Sequence, residues 1–268
     1  MKSLTVLGIY REQVFSPGKV QDDAAILDAT LVVLAGFGYE VVGMHAETLD
    51  SSAHRADFIL SMAQSDRCLE ILDRWQDQGS RVVNSAGSIR NCYRKPLIGL
   101  LAEAGVSMPS SRVVSLEQAE GCIGWHFSGP IWMKRGDVHA MQSGDVVFVS
   151  EEEQLRGALA HFRLHGICDV LLQEHVEGRV VKFYGVGQGD YFKAFLADTG
   201  EEISAQVQQL SKIAARAARI VGLEVYGGDA VLTNQDEVFL IDLNDWPSFS
   251  RCCNTAAESI ASYLVDRN

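Results

Sequence analysis

The sequence predicts an α/β fold in which one parallel α/β lobe precedes two mixed α+β lobes. Two observations predict it. Strand-like runs alternate with helical patterns in the first third of the chain, and a polar turn separates two apolar strands near the C-terminus. With 47% hydrophobic and 22% charged residues over 268 positions, the composition is that of a globular protein that can form two or three lobes.

The first lobe is predicted over residues 1–88. Its order is strand, helix, strand, strand, helix, strand, and helices between successive strands favour parallel pairing. The predicted elements are Leu4–Tyr10, Asp22–Phe37, Tyr39–His45, Asp57–Met62, Gln64–Gln78 and Arg81–Asn84.

The rest of the chain divides into a central lobe, 89–172, and a C-terminal lobe, 173–268. In the central lobe, Ser150 is expected to be the N-cap of the predicted helix Glu151–His165. The central elements are Arg94–Ala104, Ser111–Val114, Pro130–Lys134, Asp145–Val149, Glu151–His165 and Asp169–Gln173. The C-terminal elements are Val180–Gly187, Tyr191–Leu196, Ala205–Val221, Val225–Leu232, Glu237–Leu243 and Thr255–Leu264.

Charge and hydropathy exclude several classes of partner. A formal net charge of −12 disfavours nonspecific binding to nucleic acid or to an anionic membrane. No apolar run approaches the ~18 residues of a membrane span, and the N-terminus lacks a secretory pattern. The six cysteines show no metal-binding spacing. We therefore expect a soluble cytoplasmic protein with reduced thiols.

Three oxygen-bearing side chains in the C-terminal hairpin indicate a metal site. Asp242 and Asn244 lie on one face of their strand because side chains alternate. A turn centred between Gln235 and Asp236 places Asp229 opposite Asp242. Two facing carboxylates in an apolar setting need a cation, and hard oxygen ligands suit Mg²⁺. The alternative is that both are solvated acids beside a turn.

Lys134 is a candidate phosphate-binding residue. It ends an apolar strand immediately before the glycine-containing loop 135–144, so an ammonium group and flexible backbone amides could reach phosphate oxygens together. From its spacing alone, Lys134 could equally be a surface lysine.

Five motifs in order resemble the ATP-grasp superfamily over roughly residues 80–255. They are the segment Lys95–Pro109, Lys134 with its glycine loop, Leu172–Gly178, Lys182–Gly187, and Gly228–Asp229 with Asp242–Asn244. The resemblance implies an ATP-grasp fold in which residues 1–88 form the N-terminal pre-ATP-grasp domain.

The resemblance also implies site residues. Lys134 would bind the α- and β-phosphates of ATP, with Lys95 and Lys182 near the phosphates, and loop 135–144 would be a lid. The segment Gln173–Val176 would be the hinge whose backbone meets adenine. The implied adenine and ribose contacts are Gln173, Glu174, His175, Val176 and, for the ribose, Glu177. The implied ligands of one or two Mg²⁺ ions, with Mn²⁺ as a substitute, are Asp229, Asp242 and Asn244.

Two functions are compatible with these motifs. Most ATP-grasp enzymes activate a carboxylate as an acyl phosphate and join it to an amine, which favours a ligase resembling ribosomal-protein glutamate ligase and glutathione synthetase. Arg251 is then a candidate carboxylate contact and His139 a candidate contact to the phosphoryl group or acceptor, although either could be a surface residue. Arg11 and Lys19 are candidate acceptor contacts. The substrate would be a small molecule or peptide, and the protein could be a homo-oligomer.

The alternative is a kinase resembling inositol trisphosphate 5/6-kinases. The features favouring it are Lys182–Gly187, Asp242–Ser248 and His139–Met141. Such a substrate is highly anionic and needs many basic residues. Those available are Arg11, Lys19, Arg90, Arg94, Lys95, Arg135 and Arg251. A nucleotide-binding protein without catalytic activity is a third hypothesis.

Overall fold

Three four-stranded sheets organise the chain in the computed structural model, which describes residues 4–50, 56–121, 129–138, 142 and 144–267. The first sheet is parallel and the other two are antiparallel. The α/β fold class is therefore confirmed.

The first sheet has the order β2-β1-β3-β4, with parallel pairing as predicted. Its strands are β1 Thr5–Tyr10, β2 Glu40–His45, β3 Phe58–Ser61 and β4 Arg81–Val83, and its helices are α1 Val20–Gly36 and α2 Asp66–Asp77. The central strands β1 and β3 are covered on both faces, which explains why both are nearly continuous apolar runs.

The second sheet has the order β5-β8-β6-β7. Its strands are β5 Ser111–Ser115, β6 Ile131–Arg135, β7 Val146–Val149 and β8 Asp169–Glu174. Along the chain, α3 Ala86–Asn91 and α4 Arg94–Glu103 precede this sheet. Helix α5 Leu116–Gly121 lies between β5 and β6, and α6 Glu152–Leu164 lies between β7 and β8. The N-cap of α6 is Glu151, which forms a reciprocal capping box with Gln154, so the expectation for Ser150 was wrong.

The third sheet has the order β10-β9-β11-β12. Its strands are β9 Arg179–Val186, β10 Tyr191–Leu196, β11 Val225–Leu232 and β12 Val238–Asp245, with α7 Val207–Val221 between β10 and β11 and α8 Cys253–Asp266 after β12. The apolar faces of α4 and α7 pack in the same core as this sheet. Helix α8 packs instead against α1, in a core that joins the first and third sheets.

In the hairpin of β11 and β12, Asp229 lies opposite Asp242, as predicted. The turn that produces this pairing is not centred where the sequence predicted it. Near the turn the pairs are Leu232–Val238 and Ala230–Leu240, which centre the turn on Gln235. A bulge between Asp229 and Ala230 in the pairing then shifts the register by one residue. The bulge therefore compensates for the displaced turn.

Polar contacts fasten the first sheet to the third. The side chain of Asn84, which follows β4, donates to the carbonyl of Val225 at 2.6 Å and accepts from the amides of Glu224 and Val225 at 2.8 and 3.0 Å. The indole of Trp246 donates to the carbonyl of Val83 at 2.8 Å. These buried bonds hold the C-terminal end of β4 against the start of β11.

Candidate active site between the three sheets

A cavity of about 680 Å³ receives side chains from all three parts of the fold. Its walls come from the loop after β1, from β6 to β8 of the second sheet, and from β9, β11, β12 and the segment after β12. The predicted site residues that line it are Lys134, Gln173, Glu174, His175, Val176, Lys182, Asp229, Asp242, Asn244 and Arg251.

Lys134 projects from β6 into this cavity and is only 7% exposed. Its Nζ donates to Gln173 Oε1 at 2.9 Å and to the carbonyl of Ile241, in the bulged segment of β12, at 3.3 Å. Burial lowers the pKa of Lys134, and the carboxylates of Asp242 and Asp229 oppose that shift. The ammonium thus joins the second sheet to the third, and a bound anion there would stabilise the charge that burial disfavours.

The predicted metal ligands come from the two strands that face Lys134. Asp229 and Asp242 are directly paired across the hairpin, and Asn244 lies two residues further along the same strand. In the described part of the chain, no three His, Cys, Asp or Glu side chains gather as a metal-binding group, so the set rests on two carboxylates and one amide. These hard oxygen donors fit Mg²⁺, which keeps several waters and shares phosphate ligands.

Asp229 already has a cationic neighbour. Lys182 lies opposite Asp229 in the pairing of β9 with β11, and its Nζ donates to Asp229 Oδ1 at 2.8 Å. Burial alone would lower the pKa of Lys182, but the charge and hydrogen bond of Asp229 outweigh it, so the pKa is raised. A metal ion bound by Asp229 would compete with this ammonium.

An aromatic cluster, Trp132, Phe148 and His175, forms beside the hinge. The Trp132 and Phe148 rings meet edge to face at 5.1 Å, and Phe148 and His175 do so at 5.2 Å. Trp132 and His175 line the cavity, together with Val146, which is 38% exposed. Such an apolar surface suits a planar base.

Glu177 lies beside the cavity, outside its lining, with a side chain that is 94% exposed. Its Oε1 is 3.1 Å from His175 Nε2. His175 therefore connects the hinge to the residue predicted to contact the ribose.

The structure brings Arg94, rather than the predicted Lys95, to the cavity. Arg94 is 3% exposed, and its Nη1 donates to the carbonyls of Arg135 and Val138 at 2.8 and 3.1 Å. Lys95 lies outside the cavity lining, is 66% exposed, and forms an ion pair with Asp169 at 2.9 Å. Arg94 thus supports the first residues of loop 135–144.

The helical periodicity of α4 could have distinguished these two neighbours. The buried positions Leu97, Ile98 and Leu101 follow Arg94 by three, four and seven residues, which is one face of a helix. Lys95 falls off that face. Likewise Trp132 precedes Lys134 by two positions on β6, so strand alternation places both on the same face.

Arg251, Arg11 and Lys19 also line the cavity. Two nitrogens of Arg251 donate to the carbonyls of Leu196 and Ala197. Arg11 donates to the carbonyl of Trp246 at 2.7 Å. The remaining candidate, His139, lies outside the described residues.

No family model matches the chain, and no curated protein matches it in sequence. Solved structures do match over nearly its full length. A RimK domain ATP-grasp protein from Sphaerobacter thermophilus aligns with 97% of this chain and 99% of its own at 19% identity, with a TM-score of 0.75. A D-alanine–D-alanine ligase from Bacillus anthracis, complexed with ATP, aligns over 98% and 97% at 12% identity and a TM-score of 0.73.

The ATP-grasp ligase PsnB, complexed with a precursor peptide and AMPPNP, aligns over 98% of this chain and 99% of its own, at 16% identity and a TM-score of 0.67. At these identities the likeness concerns the fold. The chain therefore has the ATP-grasp fold, as the sequence predicted.

None of the helices in the described parts of the chain combines the length and the hydropathy of a membrane-spanning segment.

Proposed function

We propose that this protein is an ATP-dependent ligase that activates a carboxylate as an acyl phosphate and joins it to an amine, with Mg²⁺ as the metal. One observation carries the proposal. Buried Lys134 of the second sheet faces Asp229 and Asp242 of the third across one cavity, so a cation and two carboxylates converge between two lobes. ATP-bound and AMPPNP-bound proteins of the same fold support a nucleotide as the occupant.

Each group has a role in this proposal. Lys134 and Lys182 would bind phosphate oxygens, and Asp229, Asp242 and Asn244 would hold Mg²⁺, which supplies neutralisation of phosphate charge. The substrate carboxylate oxygen attacks the γ-phosphorus, and the bond to the ADP oxygen breaks. An amine then attacks the acyl carbon, inorganic phosphate leaves, and the amine loses a proton. Positioning and charge neutralisation suffice for the first step.

The partners of the basic residues favour the ligase over the inositol-phosphate kinase. Of the seven basic residues considered for a highly anionic substrate, three form close ion pairs with carboxylates and two donate to backbone carbonyls. These are Arg90 with Asp73, Lys95 with Asp169, Arg135 with Asp137 and Asp145, Arg94 with two carbonyls, and Arg251 with two carbonyls. Arg11 pairs with Asp23 at 3.4 Å. A substrate with one carboxylate needs fewer cations.

The test is Mg²⁺-dependent turnover of ATP against amino acids, short peptides and inositol phosphates, with free phosphate and product mass measured together. Free phosphate with a condensed product supports the ligase. A phosphorylated acceptor without free phosphate would establish the kinase instead, and nucleotide binding without turnover on any substrate would favour a protein that only binds. A peptide acceptor belongs in the panel because PsnB was solved with a precursor peptide.

A further inference from the structure

The aromatic cluster contains a chain of two hydrogen bonds that ends at Glu177. The indole nitrogen of Trp132 is 3.1 Å from His175 Nδ1, and His175 Nε2 is 3.1 Å from Glu177 Oε1. The chain runs from the strand that carries Lys134 to the end of the hinge.

Only one form of His175 satisfies both bonds without a charge on the ring. An indole N–H can donate but cannot accept, so Nδ1 must present its lone pair to Trp132. The ring proton of neutral His175 is then on Nε2, where it donates to the carboxylate of Glu177. The other neutral tautomer would set two hydrogens against each other at Trp132 and a lone pair against the carboxylate.

From this geometry we infer that Trp132 and His175 are positioning residues for Glu177, and that they set the preference of the site for a nucleotide with intact ribose hydroxyls. Trp132 fixes the tautomer, and the tautomer holds the Glu177 carboxylate at the edge of the cavity. The inference rests on the proposed function, because it takes the cavity to bind ATP and Glu177 to accept a hydrogen bond from the ribose.

Exposure explains why Glu177 needs this support. Its side chain is 94% exposed, while that of His175 is 22% exposed. An exposed carboxylate samples several rotamers, and the ligand must restrict them on binding. A donor anchored in a packed ring cluster restricts them beforehand, so part of that entropic cost is removed.

The first measurement is the tautomer itself. Nitrogen-15 spectra of the histidine-labelled protein, at a pH where imidazole is neutral, distinguish Nδ1–H from Nε2–H. The protein has 7 histidines, and the signal that disappears in His175→Asn identifies His175. We expect Nε2–H in the native protein and a mixture in Trp132→Phe, which keeps a ring but has no donor. A native Nδ1–H signal overturns the inference.

The second measurement is the affinity of the native protein for Mg²⁺ complexes of ATP, 2′-deoxy-ATP and 3′-deoxy-ATP by titration calorimetry. We expect ATP to bind more tightly than at least one deoxynucleotide. Because both rings also line the cavity, Trp132→Phe and His175→Asn should weaken every nucleotide, but they should weaken ATP about fivefold more than that deoxynucleotide. In Glu177→Ala the preference should vanish, and adding Trp132→Phe to it should change the preference no further.

Phe148→Leu is the matched control for packing, because Phe148 contacts both rings but has no hydrogen-bonding group. It should weaken all three nucleotides alike. An unchanged preference in both Trp132→Phe and His175→Asn overturns the positioning role while leaving the proposed function intact. If none of the three nucleotides binds the native protein, the proposed function fails as well.

Discussion

At the scale of single residues, the site places charge where it is costly to the folded protein. Lys134 is buried with two neutral acceptors, Gln173 Oε1 and the carbonyl of Ile241, and burial lowers its pKa. Burying an ammonium without a direct counter-ion destabilises a fold, so such a residue is retained where a ligand compensates it.

Lys134→Met should therefore separate stability from binding. The methionine fills similar space and removes the desolvation cost, while two acceptors lose their donor. These effects oppose each other, so we expect the free energy of unfolding to change by less than about 1.5 kcal/mol. Affinity for Mg²⁺·AMPPNP should fall by about 30-fold to 100-fold, since a charged contact to phosphate is lost. Urea unfolding and calorimetry measure the two quantities, and near-native affinity would contradict the role of Lys134.

The lowered pKa of Lys134 has a defined sign in the pH dependence of stability. Between its folded-state pKa and the ordinary lysine value, the unfolded chain binds more protons, so stability from this group rises with pH in that window. Lys134→Met should remove that increment. Urea unfolding from pH 7 toward the ordinary lysine pKa checks it, and an identical pH slope in native and variant proteins would contradict the assignment.

Asp242→Asn should abolish Mg²⁺-dependent turnover while sparing the fold. Asparagine keeps the size of the side chain but removes the charge that a metal ion needs, so we expect turnover to fall by about 100-fold or more. The matched control is Asp236→Asn in the turn of the same hairpin. Its backbone has φ of 61°, which asparagine tolerates well. Equal turnover in the two variants would remove the metal assignment.

At the scale of elements, strand pairing in the hairpin and the face of α4 position these residues. Gly228 precedes Asp229 on β11, and a Cβ at Gly228 would overlap the carbonyl oxygen of Asp242. The strand carrying one carboxylate therefore approaches the strand carrying the other closely, which only glycine permits.

Gly228→Ala should push these strands apart. We expect a loss of about 1 to 3 kcal/mol in the free energy of unfolding, as in other overpacked sites, and weaker Mg²⁺-dependent nucleotide binding. Denaturant unfolding and calorimetry give both values. Gly157→Ala in α6 is the control, since a Cβ there meets no heavy atom within 4 Å. A Gly228→Ala protein as stable as the native one would show that the hairpin can adjust.

Arg94→Met and Lys95→Met test which residue of α4 serves the site. The first removes donors to the carbonyls of Arg135 and Val138 and should raise the KM for ATP about tenfold. The second removes only an exposed ion pair with Asp169 and should leave the KM within about twofold. Steady-state kinetics gives the KM for ATP of both variants. A larger increase in Lys95→Met than in Arg94→Met would show that Lys95 is the residue that serves the phosphates, as the sequence predicted.

At the scale of the whole molecule, the first and third sheets share one hydrophobic core and a set of buried hydrogen bonds. Helices α1 and α8 pack together in that core, which also contains Trp246. The loop after β1 and the segment after β12, which form one end of the cavity, are thereby held at a fixed separation.

Asn84→Ala should weaken this junction. It leaves three backbone groups of Glu224 and Val225 without their side-chain partner, so we expect a loss of about 2 to 4 kcal/mol in the free energy of unfolding. Asn91→Ala is the control, because Asn91 makes one bond, to the carbonyl of Val221 at 3.1 Å, and should cost less. Thermal unfolding of both variants measures the difference. Equal losses would mean that Asn84 is not the main fastening.

The sequence by itself determined the order and type of most elements and the parallel pairing of the first sheet. Apolar periodicity depends on local geometry, which the chain records directly. Strand alternation also placed Asp242 and Asn244 on one face of their strand. The predicted pairing of Asp229 with Asp242 came from an assumed turn, and in the structure it depends on the bulge as well. Periodicity missed α3 and α5, whose six residues each are too few for a helical period to emerge.

Only the tertiary structure decided which side chains meet from distant parts of the chain. The bulge beside Asp229, the bonds from Arg94 to the carbonyls of Arg135 and Val138, and the bond between Trp132 and His175 depend on how sheets and helices pack. Hydrogen-bond partners separated by tens of residues leave no periodic trace in a single sequence. Their positions follow from the packing of the lobes, where the cost of unpaired buried groups selects one arrangement.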